Sequence, residues 1–259
     1  ARRKEQTFIQ TWHASNGYKK IGSSTGIASK VNQQMHRDYS YVCSGAASMT
    51  ERRVRGSMGF TGEVIPGTPR MDVLIRQDDD RIPARVREGL GYEDGARLLL
   101  YAPTWRDNQH QSGLGYTYKT EVDFDRLRNE LSDEYVILFR AHYFVANKFD
   151  FSKYAGFVYN ASLYDDINDL YIISDILITD YSSVFFDYSI LKRPIIYYMY
   201  DLEEYQHVLR DFYISLDDLP GKIVETEDAL IDALHNVGEL TYDEKYKKWK
   251  LEDLPFLPK

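Results

Sequence analysis

Short apolar runs recur along the chain. Each gives way to a polar turn and then to a segment whose apolar residues fall at helical spacing. The runs at residues 97–102, 135–140, 175–178 and 194–198 read as buried strands. Weaker strand patterns lie at residues 7–12, 39–44, 62–65 and 156–159. Helical patterns lie at residues 46–56, 84–90, 124–131, 165–173, 228–237 and 242–251. After the turn at residues 179–183, Val184, Phe185, Tyr188, Ile190 and Leu191 also keep roughly helical spacing. Residues 66–72 form a turn punctuated by proline and glycine, residues 77–83 a charged connector or helix start, and residues 108–119 a polar, glycine-containing loop. Strands alternating with helices predict an α/β fold with a mostly parallel sheet. The first 75 residues hold only strand-helix-strand material, too little for a complete doubly wound domain.

The polar clusters fall where the predicted strands end: His13, residues 104–107, residues 140–142 and residues 179–183. Ligands of parallel α/β sheets bind outside those carboxyl ends, so the coincidence points to one site. The segment Ile176-Leu177-Ile178-Thr179-Asp180-Tyr181-Ser182-Ser183 reads as strand, hydroxyl-rich turn and helix start. That geometry offers backbone N–H groups and hydroxyls to an anion such as phosphate. Ser182 or Ser183 serving only as a helix cap is the competing reading. His13 could be an ordinary hydrogen-bonded residue, but a small-residue loop and the pair Lys19, Lys20 follow it and leave room for a substrate.

Composition narrows the setting. The one cysteine, Cys43, excludes an intrachain disulfide, fits a reducing compartment and reads best as a small buried apolar residue. No apolar run approaches the length of a membrane span, and no apolar stretch follows the basic start as a signal peptide requires. A start without Met, close to a strand-like segment, reads as a piece cut from a longer protein. The 22 tyrosines suit half-buried surfaces and clefts. Residues 1–60 hold ten Lys/Arg against three acids, a net +7, while the other 199 residues hold 22 basic against 37 acidic, a net −15. A basic first segment suits an anionic polymer, a membrane surface or nucleic acid, or is simply a solvated face.

Several chemistries are excluded by motif. There is no phosphate-binding G-x-x-x-x-G-K-[ST], no G-x-G-x-x-G after a strand and no Cys/His set with zinc spacing, so no metal site is assigned. The remaining kit is two strand-end histidines, His13 and His142, with Arg106, Arg140, Lys19, Lys20 and the hydroxyl-rich turn. A neutral histidine can deprotonate a hydroxyl, and a second with an arginine can hold charge on phosphate. That suits group transfer from a nucleotide-activated donor.

Four motifs in order then become specific: Thr11-Trp12-His13-Ala14 with Lys19-Lys20-Ile21-Gly22; Tyr101-Ala102-Pro103-Thr104-Trp105-Arg106; Arg140-Ala141-His142; and residues 178–187. Together they resemble the CDP-glycerol glycerophosphotransferase family, the teichoic-acid and capsule polymer synthases. The resemblance covers most of residues 7–215. It implies a GT-B-like fold of Rossmann-like parallel sheets with flanking helices, the N-terminal domain being incomplete. Residues 1–75 would be the remnant of the acceptor-side domain, residues 76–240 the CDP-polyol-binding domain and residues 241–259 a C-terminal helix or tail. It implies transfer of glycerol- or ribitol-phosphate from a CDP-polyol to a hydroxyl of a growing chain, releasing CMP.

By position His13 resembles the family base. His142 and Arg140 resemble the residues that neutralise the donor pyrophosphate, and Thr179, Asp180, Ser182 and Ser183 its phosphate-binding turn. Thr104, Arg106, Lys19 and Lys20 would line the same site, while Asp187 could bind donor or fix its helix. No cofactor is implied, since the CDP-polyol is a substrate. The expected partners are that donor, an anionic polymer or lipid-linked acceptor and a membrane surface, with no nucleic acid. The expected location is cytoplasmic, peripheral on the inner face of the bacterial membrane. The resemblance implies two departures: most of the acceptor-side domain would lie before Ala1, and the usual Asp-Gly-x-Ala-Ser segment does not appear near the C-terminus. A GT-B glycosyltransferase using a nucleotide sugar and a non-catalytic polymer-binding module remain as alternatives.

Overall fold

Continuous apolar runs, buried on both faces, become parallel strands. The structure is a computed structural model. It describes residues 3, 5–12, 39–92, 95–104, 110–111, 115–116, 122–141, 150–205 and 215–240, without the side chains of residues 48, 110, 111, 115 and 116. The predicted helix at 242–251 lies outside the described residues. The chain divides into two units, one of Ala1–Asp72 with Glu203–Pro220 and Asp243–Lys259, the other of Val73–Leu202 with Gly221–Tyr242.

The first unit holds a parallel sheet of β1 (Ile9–Gln10), β2 (Tyr41–Ser44) and β3 (Glu63–Pro66), in that order. Val42 on the central strand packs with Val54 and Phe60. Cys43 is buried, and burial pushes its thiol pKa up, as for a small apolar residue. The single helix expected over 46–56 is instead a short α-helix, α1 (Ala47–Met49), running into a π-helical segment, Thr50–Ser57. Hydroxyls accompany the change of winding. Thr50 Oγ1 donates to Ala46 O at 3.1 Å, and Ser57 Oγ donates five residues back to Arg52 O at 3.0 Å.

The second unit carries the larger sheet. Its first strand is β4 (Arg97–Ala102). A small antiparallel hairpin, β5 (His110–Gln111) with β6 (Gly115–Tyr116), lies in the stretch expected to be loop. Then come β7 (Tyr135–Phe139), β8 (Val158–Asn160), β9 (Ile176–Thr179), β10 (Ile195–Tyr198) and β11 (Lys222–Val224). The order is β11-β10-β9-β4-β7-β8, every pair parallel. The chain builds outward from β4 through β7 to β8, then returns to the other side of β4 as β9. This is the doubly wound Rossmann order, with its topological switch point between β4 and β9. Helices intervene: α2 (Ile82–Leu90), α3 (Phe124–Leu131), α4 (Ile167–Ile173), α5 (Val184–Tyr188) and α6 (Glu227–His235).

Side-chain caps set three of these helix starts. Asp123 accepts from Asp125 N and Arg126 N, Asp166 from Asn168 N, and Thr226 from Ala229 N. Each cap contributes about 1 kcal/mol. At the far end of α4, Arg193 Nη1 donates to Ile172 O and Ser174 O, both at 2.6 Å, satisfying carbonyls the helix leaves open. The core centres on Phe139, whose ring lies 5.7 Å from Tyr101, 6.1 Å from Phe124 and 5.0 Å from Phe151. Phe139, Tyr101 and Phe124 are buried and Phe151 partly so; each of the buried three contributes roughly 1.5–3 kcal/mol. Gly221 enters β11 at φ +101, and a Cβ there would stand 2.3 Å from Ile195 O, so no larger residue fits. Among the described residues no helix is long and apolar enough to cross a membrane.

Candidate functional site

The carboxyl ends of β4 and β9 are tied together beyond their ladder. Ala102 pairs with Thr179 as the last register position. Thr179 Oγ1 then donates to Ala102 O at 2.8 Å. One residue further, the Asp180 carboxylate accepts from Thr104 N at 2.9 Å and 3.0 Å and from Thr104 Oγ1. Asp180 is only 2% exposed. Hydrogen bonds to a charged acceptor contribute roughly 1.5–3 kcal/mol each. The loop after β4 and the turn after β9 are therefore one clasped unit at the switch point, where a doubly wound sheet takes its ligand.

The turn itself is anchored from below. Tyr181 is fully buried, and its hydroxyl donates to Asp201 Oδ1 at 3.0 Å. Ser182 Oγ accepts from Val184 N at a long 3.4 Å. Ser183 occupies the N-cap position of α5 but makes no side-chain cap bond. Both serines are half-buried, so the capping reading accounts for only one weak bond. Asp187, also 2% exposed, lies within α5 among buried residues.

Arg140 stands at the end of β7, the strand beside β4. Its N–H donates to Tyr101 O at 2.8 Å. Its Nη1 donates to Ala161 O at 2.7 Å and to Tyr164 O. The next residue is fixed too, with Ala141 N donating to Ser162 Oγ at 3.0 Å. Burial lowers the guanidinium pKa from its usual value, yet so strong a base stays charged. A cation is thus held in place by carbonyls at a strand end, two strands from the serine turn. The loop it anchors walls an open cavity of about 590 Å³, lined by Asn160, Leu163, Tyr164 and Asp165 with Arg85 and Leu90 of α2.

The structure thus brings Thr104, Arg140, Thr179, Asp180, Ser182 and Ser183 to one edge of one sheet. His13, Lys19, Lys20, Arg106 and His142 lie outside the described residues. Sequence reading missed the pairing of Thr104 with Asp180 and the carbonyl anchors of Arg140, because both depend on which strands are neighbours. It also passed over Arg53, which is 6% exposed within the π-helical segment. A faint signal exists, since Arg53 follows Met49 by one helical turn and directly precedes the core residue Val54.

Known proteins resemble this chain over most of its length. Residues 1–254 match the family described as CDP-Glycerol:Poly(glycerophosphate) glycerophosphotransferase. The teichoic acid poly(glycerol phosphate) polymerase of Staphylococcus epidermidis is 38% identical over 94% of this chain and 36% of its own length. The teichoic acid ribitol-phosphate polymerase TarK of Staphylococcus aureus is 35% identical over 99% of this chain and 49% of its own length. A solved variant of the wall teichoic acid polymerase TagF, soaked with CDPG, superposes with a TM-score of 0.86 at 34% identity, over 97% of this chain and 64% of that one. The expected GT-B-like α/β class is thus the fold of TagF, and the chain spans about a third to two thirds of these relatives. The chain belongs to the CDP-glycerol:poly(glycerophosphate) glycerophosphotransferase family.

Proposed function

We propose that this chain transfers glycerol- or ribitol-phosphate from a CDP-polyol to a hydroxyl of a growing teichoic-acid or capsule-type polymer, releasing CMP. The observation that carries this reading is the gathering of the hydroxyl turn, the clasp and Arg140 at the carboxyl edge around the β4/β9 switch point. The acceptor oxygen attacks the phosphorus that bears the polyol. The new O–P bond forms as the bond to the bridging oxygen breaks, and that oxygen leaves with its electron pair on CMP. His13 takes the acceptor proton, as general base. Ser182, Ser183, Arg140 and His142 compensate the charge that gathers on the leaving phosphate. Thr104, Arg106 and the lysines Lys19 and Lys20 complete the surroundings of donor and acceptor.

Residues 1–75 serve the acceptor side in this reading, residues 76–240 the donor side and residues 241–259 a tail. The net +7 of the first 60 residues suits an anionic polymer or lipid-linked acceptor at the inner face of the bacterial membrane. Calorimetric titration tests the donor assignment. CDP-glycerol or CDP-ribitol should bind with a Kd at least about tenfold lower than a UDP-sugar, a difference of ~1.4 kcal/mol. Tighter binding of the UDP-sugar would move the protein to the glycosyltransferase alternative.

A further inference from the structure

Strand β1 runs into a residue of unfavourable backbone geometry. Trp12 has φ +59, the left-handed region that bulky side chains avoid. Named contacts hold it there. Trp12 N donates to Gln10 Oε1 at 2.8 Å, and Gln10 Nε2 donates to Tyr39 OH at 3.2 Å. The guanidinium carbon of Arg53 lies 5.1 Å from the centre of the Trp12 ring, within cation–π range. Arg53 comes from the π-helical segment and is 6% exposed. Three costly features therefore meet at one point in the first unit: a left-handed tryptophan, a buried arginine and π-helical winding. Strained backbone and π-turns persist where the surroundings over-determine them, and they cluster at functional sites. The residue that follows Trp12 is His13.

We propose that Trp12 and Arg53 are a positioning pair for His13, the guanidinium over the Trp12 ring holding the left-handed turn that sets where the chain leaves β1. This rests on His13 being the base proposed above. Neither residue of the pair needs to touch substrate. The role is geometric, so it belongs in kcat more than in donor binding, because a displacement of about 1 Å at a reacting group costs on the order of a hundredfold in rate.

The test measures CMP release from CDP-glycerol by the full chain with acceptor, alongside thermal melting. Arg53→Lys keeps the charge and loses the guanidinium that lies over the Trp12 ring. Trp12→Gly accepts positive φ and loses the ring. Each should lower kcat by about ten- to a hundredfold with KM for the donor within about twofold of native. Trp12→Phe retains a ring for Arg53 and should recover most of the loss. Should Arg53→Lys fail to fold, the comparison of Trp12→Gly with Trp12→Phe decides. Native kcat in Trp12→Gly, or equal loss in Trp12→Phe and Trp12→Gly, overturns the pair. His13→Ala in the same assay separates the two ideas. If His13→Ala is inactive while the pair variants run at native rate, only the positioning proposal falls. If His13→Ala turns over normally, the base assignment falls and takes the pair with it.

Discussion

Replacing His13 with alanine is expected to lower CMP release by about a thousandfold or more while leaving the Kd for the CDP-polyol within about threefold of native. A positioned general base contributes roughly 10²–10⁴ in rate, or ~3–5.5 kcal/mol of barrier. The acceptor hydroxyl is a poor nucleophile until its proton is taken, and alanine offers nothing to take it. Donor binding, by contrast, is assigned to the other unit, to the turn and Arg140 at the edge of the six-stranded sheet. A base and a binding residue thus differ in what their loss moves. Single-turnover rates with calorimetric Kd values measure both quantities. A His13→Ala protein that loses donor affinity in proportion to rate would make His13 a binding group instead.

Asp180→Ala carries the second large effect. It removes the acceptor for Thr104 N and Thr104 Oγ1, groups that the fold places at a 2% exposed carboxylate. Leaving such donors unsatisfied costs about 1–3 kcal/mol, and loss of the charged bonds brings the expected destabilisation to roughly 2–4 kcal/mol. The turn at 181–183 also loses its tie to the loop after β4, so kcat/KM should fall by on the order of a hundredfold even at temperatures where the protein remains folded. Thr104→Val should reproduce part of this loss, and Thr104→Ser should not. The double variant Asp180→Ala, Thr104→Val should be much less impaired than the sum of the singles, since both remove one interaction. Strict additivity in kcat/KM would show that Asp180 acts on the donor independently of Thr104. Chemical denaturation read beside the kinetics keeps stability and activity apart.

The parallel strands were legible because a strand covered on both faces is a continuous apolar run. The expected strand over 97–102 is the observed β4, and the run at 135–140 ends one residue later than β7. Helix α3 over 124–131 was equally plain, with Phe124, Leu127 and Leu131 on its buried face. Strand β11 was not, because Lys222–Val224 is three residues long at the sheet edge and only Val224 is buried. The π-helical winding was also hidden, since it accompanies the bonding of Thr50 and Ser57 to particular carbonyls rather than any hydrophobic period.

Much of the site could be read as a set of residues and little of it as an arrangement. Strand ends picked out Thr104, Arg140 and residues 179–183 because the chemistry of parallel sheets concentrates there. Their division of labour needs the order β11-β10-β9-β4-β7-β8, which places β4 against β9 across the 73 intervening residues 103–175. Only with that neighbour relation does Asp180 face Thr104, and only with β8 beside β7 does Arg140 find the carbonyls of Ala161 and Tyr164. The serines remain as the hydroxyls of the turn whose capping work is slight.

The most direct measurement of the central claim is product analysis with CDP-glycerol and CDP-ribitol, each incubated with the protein and a lipid-linked polyol-phosphate primer. At least one donor should yield CMP and a primer lengthened by whole polyol-phosphate units in a one-to-one ratio. Release of CDP with transfer of the bare polyol, or primer that stays unextended with both donors while the protein is folded, would contradict it.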